Sequence, residues 1–156
     1  SLGDALKAKF KIVYNAENYT QEENYSYIIS NKLDDSAVNE LLSTLSLKYI
    51  KKMKPGLKPD ADLVIITGKD TETGFKTEIM SAAENSAITE KLKAYTPVFT
   101  KADKYKDIDL KKLTGIQINY NPEDYYTAYK LGKLLNTTNL VEDTSLKDNI
   151  IILTKD

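Results

Sequence analysis

The chain has 156 residues, which fits one domain able to bury about 70% of the surface its unfolded form would expose. With 41% hydrophobic and 29% charged residues and a net charge of −1, its composition is that of a soluble folded domain, and no block of like charge is long enough for a nucleic-acid-binding arm. There is no Cys and no His, and all 22 basic residues are Lys, which excludes disulfides, thiol chemistry, histidine acid/base catalysis, most zinc sites and bidentate Arg clamps on phosphate.

Taken in chain order, Phe10, Ile12 and Tyr14 alternate with Lys11 and Val13 and predict a first strand with one face more buried than the other. Thr20-Gln21-Glu22-Glu23 has the form of a capping box and predicts a helix with Tyr25, Ile28, Ile29 and Leu33 on its apolar face. Ser36 is the expected cap of a second helix through about Met53, with Val38, Leu41, Leu42, Leu45 and Tyr49 on one side and Pro55-Gly56 ending it. Lys51, Lys52, Lys54 and Lys58 read as its solvated end rather than as an anion site. Leu63 to Ile66 is continuously apolar, as expected of a central strand covered on both faces.

Thr71-Glu72-Thr73-Gly74 reads as a turn or loop, Phe75 to Met80 as a further strand, and Ser86 to Tyr95 as a helix burying Ile88 and Leu92. Lys101 to Lys112 is expected to be a loop with one short helical turn. Ile116, Ile118 and Tyr120 then alternate with Gln117 and Asn119 as a strand. Asn121 is a good helix cap, Pro122 suits the first helical position, Glu123 and Asp124 complement the positive end, and Ala128, Leu131 and Leu135 form the buried stripe. Ile150 to Leu153 is a second continuously apolar strand.

Two blocks recur in the same order. Ile12-Val13-Tyr14-Asn15-Ala16-Glu17-Asn18-Tyr19 shares Ile, Tyr, Asn, Glu and the last Tyr with residues 118–125, and residues 62–70 share Asp, Ile-Ile, Lys and Asp with residues 148–156. The expected fold is therefore a single α/β domain over residues 1–156, a three-layer sandwich with one mixed sheet. Two pseudo-repeated β-α-β halves, 10–70 and 116–156, build it, with 71–114 as an inserted connecting segment.

The second copy resembles the LytR C-terminal type of domain, an accessory domain of LytR-CpsA-Psr cell-envelope proteins. The resemblance rests on Ile116 to Tyr120, Pro122, Ala128, Leu131, Gly132, Leu135 and the closing Ile150 to Asp156, with Ile12 to Asn15 and Gly68-Lys69-Asp70 echoing it earlier. The chain departs from the family at Ala16, where Gly is usual, and in the length of the segment 34–114. The resemblance implies an extracytoplasmic, non-catalytic accessory domain that binds cell-wall glycan or an envelope protein. Transferase activity in the parent proteins resides in a separate domain rich in Arg and Asp motifs that a chain without Arg cannot carry. No cofactor, metal, nucleic acid or membrane contact by this segment is expected; no apolar run approaches the ~20 residues of a membrane span. The start at Ser1-Leu2-Gly3, without Met, leads to the expectation of an anchor outside these 156 residues.

The candidate ligand-binding residues are those of the repeated Tyr-Asn turns and the helix after the second: Tyr14, Asn15, Tyr19, Tyr120, Asn121, Tyr125, Tyr126 and Tyr129. Their rings offer flat faces to sugars and the Asn amides offer partners to hydroxyls, in the crevice at the carboxyl ends of strands where ligands favour α/β sheets. The rival reading of the same residues is structural: Asn caps a helix, Glu faces its positive end, and each Tyr packs its ring. Two other functions stay open. One is a structural module that pairs with another copy; the other is a hydrolase built on an acidic pair such as Glu22-Glu23, Asp34-Asp35 or Glu123-Asp124.

Overall fold

A computed structural model describes residues 3–4, 6, 21–45, 47–54, 56–57, 60–69, 76–81, 86–95, 97–99, 108–147 and 149–154. The expected strand at Phe10 to Tyr14, the candidate residues Tyr14, Asn15 and Tyr19, and the turn at Thr71 to Gly74 lie outside the described residues. The chain is α/β. Its described elements are β1 (Ser26–Ser30), α1 (Asp35–Leu42), β2 (Ile50–Lys51), β3 (Leu63–Ile66), β4 (Lys76–Ser81), α2 (Ser86–Lys91), β5 (Pro97–Phe99), β6 (Gln117–Tyr120), α3 (Tyr125–Leu135), β7 (Leu140–Glu142) and β8 (Asn149–Thr154), with single 3-10 turns at Lys93–Tyr95, Leu110–Lys112 and Pro122–Asp124.

The described strands form two sheets rather than one, a three-stranded sheet in the order β2-β1-β3 and a five-stranded sheet in the order β5-β4-β8-β6-β7. In the first, β1 runs parallel to β2 across α1 and antiparallel to β3. In the second, β6 runs parallel to β7 across α3 and antiparallel to β8. The two units thus share one connection pattern: a strand, a helix, a parallel neighbour, then an antiparallel strand on the other side. The segment between them adds β4 and β5, parallel to one another across α2, and β4 joins the sheet parallel to β8.

Three expectations for the first unit give way. Residues 26–30 form a strand where the capping-box pattern predicts a helix face. Ser-Tyr-Ile-Ile-Ser is β-branched and aromatic, and pairing on both edges outweighs the local helix signal. The helix expected from Ser36 to Met53 starts instead behind Asp34, whose carboxylate accepts from Ala37 N at 2.8 Å, and it ends at Leu42. Ser43 Oγ and Thr44 Oγ1 donate to the carbonyls of Glu40 and Leu41 at 2.8 and 2.7 Å, closing the helix with the hydroxyl-to-backbone bonds that compete with continuation. Finally, among the described strands Leu63 to Ile66 lies at a sheet edge as β3, with only Ile66 fully buried, rather than in the centre.

The second unit follows its pattern. Ile118 and Tyr120 face inward, Ala128, Leu131 and Leu135 are buried, and β8 lies at the middle of its sheet. Ile150 and Ile152 pack with those helix residues, Ile88 and Leu92, while Ile151 and Leu153 meet Leu146 and the segment around Ile108, Leu110 and Leu113 on the opposite face. That two-sided covering is why β8 is apolar without alternation.

Helix α3 serves both sheets. One stripe, Ala128, Leu131 and Leu135, covers β6 and β8. Another carries Tyr126 into a second cluster with Ile28, Val38, Leu42 and Ile50. On that side Thr127 Oγ1 accepts from Ile50 N at 2.8 Å and donates to Ile50 O at 3.1 Å, so one hydroxyl satisfies the outer backbone edge of β2. The ammonium of Lys130 donates to the carbonyls of Leu45 and Leu47 just upstream. At the end of α3, Asn136 adopts the left-handed conformation and Thr137 N bonds Gly132 O at 2.8 Å. A Cβ on Gly132 would lie 2.8 Å from Thr137 O, so only glycine lets the chain fold back onto the helix there.

Candidate functional site

The site begins at the turn after β6. Asn121 caps the 3-10 turn Pro122–Asp124, and its Oδ1 accepts from Glu123 N at 3.0 Å. Its Nδ2 donates to Leu146 O at 2.8 Å, tying the turn to the loop before β8. Both ends of the amide are therefore engaged within the fold. Tyr120 is buried in the five-stranded sheet's core, and its carbonyl accepts from Asp143 N at 2.7 Å. Burial, the nearby Glu142 carboxylate and Tyr125 push its phenol pKa up.

Tyr126 is wholly buried on the opposite stripe of α3. Its hydroxyl is pushed up to about 12 by burial, with Asp35 and Tyr125 adding to the shift. Tyr125 and Tyr129 are half-buried and remain at the surface. The Tyr125 ring lies among Tyr126, Tyr120 and Tyr129 at centroid distances of 5.4, 6.1 and 6.4 Å. So the structure brings Tyr120, Tyr125, Tyr126 and Tyr129 into one aromatic group but turns Tyr120 and Tyr126 inward, away from any ring-stacking role.

Residues that the sequence pattern does not flag complete the surroundings. Asn39 on α1 donates from Nδ2 to the Tyr125 hydroxyl at 3.3 Å. The Lys52 ammonium stands 3.6 Å from Asp35 and 5.7 Å from the Tyr125 ring centre. Lys133 lies 5.4 Å from the Tyr129 ring centre. Lys51 is no solvated helix end: it sits in β2, largely buried, 3.7 Å from the buried Asp124 and 3.9 Å from Glu123, with the Tyr25 ring 4.8 Å away. Lys54 is likewise paired, with Glu23. One signal was legible: Asn39 is a polar residue beside Val38 and Leu42 on the inward side of an amphipathic helix. The burial of Lys51 comes from long-range packing, which no local pattern encodes.

The acidic pairs offered for hydrolysis have other roles. Asp34 caps α1, Glu123 and Asp124 meet Lys51, and Glu22 pairs with Lys69 at 2.5 Å. Lys69 holds the Glu22 carboxyl below its usual range, the opposite of what a general acid needs. Among the described residues no cluster of three or more acidic side chains is placed to hold a metal ion, and no helix is long and apolar enough to cross a membrane.

No family model, curated protein or solved structure matches the chain.

Proposed function

We propose that the chain is a non-catalytic accessory module of a cell-envelope protein, acting outside the cytoplasm by binding cell-wall polymer or an envelope protein partner. The observation that carries this reading is how the turn after β6 uses its side chains. Asn121 is held by two hydrogen bonds of the fold, and the neighbouring carboxylates answer Lys51, so these side chains serve the fold. What it leaves outward is the face of Tyr125 and Tyr129 with Lys52 and Lys133 beside it, a surface suited to contact rather than chemistry.

The resemblance to the LytR C-terminal type of domain belongs to the same proposal, supported by the strand, Asn turn, Leu-rich helix and apolar closing strand occurring in that order. So does descent from a duplicated strand-helix-strand unit. Its support is the connection pattern common to β1-α1-β2-β3 and β6-α3-β7-β8, together with the sequence match that pairs β3 with β8. We read the layers as helix α3 set between residues of the two sheets, a different stacking from the expected three-layer sandwich around one mixed sheet, since its two stripes meet residues of both.

The test is sedimentation of the purified protein with purified wall material across a range of salt concentrations. The glycan version predicts saturable binding that outlasts moderate salt. Absence of binding at every salt concentration removes it and leaves the protein-partner version, to be read by capture of envelope proteins.

A further inference from the structure

Among the described residues, three buried side-chain polar atoms have no hydrogen-bond partner: Asp124 Oδ1, Asn39 Oδ1 and the Tyr126 hydroxyl. The charge of Asp124 is answered by the Lys51 ammonium at 3.7 Å. The other two belong to one seam, where α1 packs on α3. Asn39 is fastened there by its Nδ2 bond to the Tyr125 hydroxyl, and Tyr126 follows Tyr125 in sequence with the two rings 5.4 Å apart. Folded proteins seldom leave such atoms unanswered, because each gives up its water without replacement. Two such atoms on one seam, Asn39 Oδ1 on α1 and the Tyr126 hydroxyl on α3, point to a polar occupant.

Their chemistry describes the occupant. Asn39 Oδ1 only accepts, so it calls for a donor. The Tyr126 hydroxyl stays protonated far above neutral pH, so it both donates and accepts. The Tyr125 oxygen accepts from Asn39 and keeps its own proton to give. A ligand hydroxyl, which is donor and acceptor at once, complements all three. At the rim, Asp35 and Lys52 lie 3.6 Å apart with their charges opposed, which favours neither an anion nor a cation. The half-buried rings of Tyr125 and Tyr129 supply apolar faces beside this polar group, and the exposed start of α1, residues 34–36, gives the approach.

We propose that the seam between α1 and α3 is a subsite for a neutral, hydroxyl-rich ligand, a sugar residue, held by Asn39, Tyr125 and Tyr126 with Tyr129 alongside. It rests on the binding reading above and narrows it to one face of the molecule.

Titration of the full chain with maltotriose and with a trimer of N-acetylglucosamine, followed by amide NMR and calorimetry, tests it. The expected result is saturable binding of at least one of them, with shifts at the Asn39 side-chain amide and at residues 125–129. Tyr126→Phe is expected to weaken that binding at least tenfold while melting no lower than the parent, since its hydroxyl has no partner to lose. Equal affinity in Tyr126→Phe, shifts confined to another face, or no binding of either sugar with a variant that simply melts higher would each overturn the subsite; the last would mean that the seam holds solvent only. The wall sedimentation assay separates the two levels. Tyr126→Phe that still sediments like the parent defeats the subsite alone, and a parent that does not sediment defeats the glycan reading itself.

Discussion

The units 26–66 and 117–154 follow the same path and end in different circumstances. In both, the first strand pairs parallel with the strand after its helix and antiparallel with the last strand. In the second unit the last strand is six residues long and gains a further parallel neighbour in β4, which places it at the centre of five strands with both faces covered. In the first, β3 has four residues and is an edge among the described strands, and β2 has only two. A sheet of three short strands is close to the minimum for independent stability. The smaller unit makes up the deficit by borrowing: Tyr126, Thr127 and Lys130 of α3 complete its core and satisfy its backbone. One topology can thus stand as a scaffold or lean on one, and the difference lies in strand length and added neighbours rather than in connection order.

The strongest way to break the contrast is to cut a tie between the units. Lys51 of the first answers the buried Asp124 of the second. Lys51→Met takes away the ammonium that answers this buried carboxylate, and a loss of about 3–5 kcal/mol in urea unfolding is expected. Thr127→Val removes the hydroxyl that both donates to and accepts from Ile50 while keeping the shape, and about 2–4 kcal/mol is expected to go with those two backbone groups left unmet. A loss under about 1 kcal/mol in both variants would mean that the first unit does not depend on α3.

The two units were also unequally legible. In the second, every local signal agrees. The alternation of Ile116, Ile118 and Tyr120, the cap at Asn121, Pro122 behind it and the stripe of Ala128, Leu131 and Leu135 all point to the structure that forms, and the apolar run at Ile150 to Leu153 gives its central strand. In the first, Thr20 to Glu23 carries a helix signal that sheet pairing overrides, and the hydroxyls of Ser43 and Thr44 end a helix whose apolar spacing continues. Strand β2 is too short to show a period and exists because β1 and Thr127 hold it. The site divides the same way. Asn121 and the tyrosines stand out by type and order, whereas which rings turn inward, and that Asn39 and Lys51 join them, depends on how α1 and β2 pack against α3.

Smaller effects sharpen the comparison. Gly132→Ala forces a Cβ against Thr137 O at the tight close of the second unit, and about 1–3 kcal/mol of destabilisation is expected by thermal or urea unfolding. Tyr126→Phe is expected to leave stability unchanged or raise it by up to about 1 kcal/mol, because the hydroxyl is buried without a partner. The parent also has an alkaline signature. The Tyr126 pKa rises on folding from 10.0 to about 12, so between those values the unfolded chain has released a proton that the folded chain still holds. Its contribution is present below pH 10 and is lost as pH climbs toward 12. Unfolding midpoints measured from pH 8 to 12 should fall less steeply in Tyr126→Phe than in the parent.

Native-state hydrogen exchange tests most directly whether the smaller unit leans on the larger. The amides of β1, at Ile28 and Ile29, are expected to open with nearly the same free energy as those of β8, from Ile150 to Leu153, in the parent. In Lys51→Met the β1 amides should open well before those of β8. Exchange of β1 far faster than β8 in the parent, unchanged by the substitution, would contradict the account.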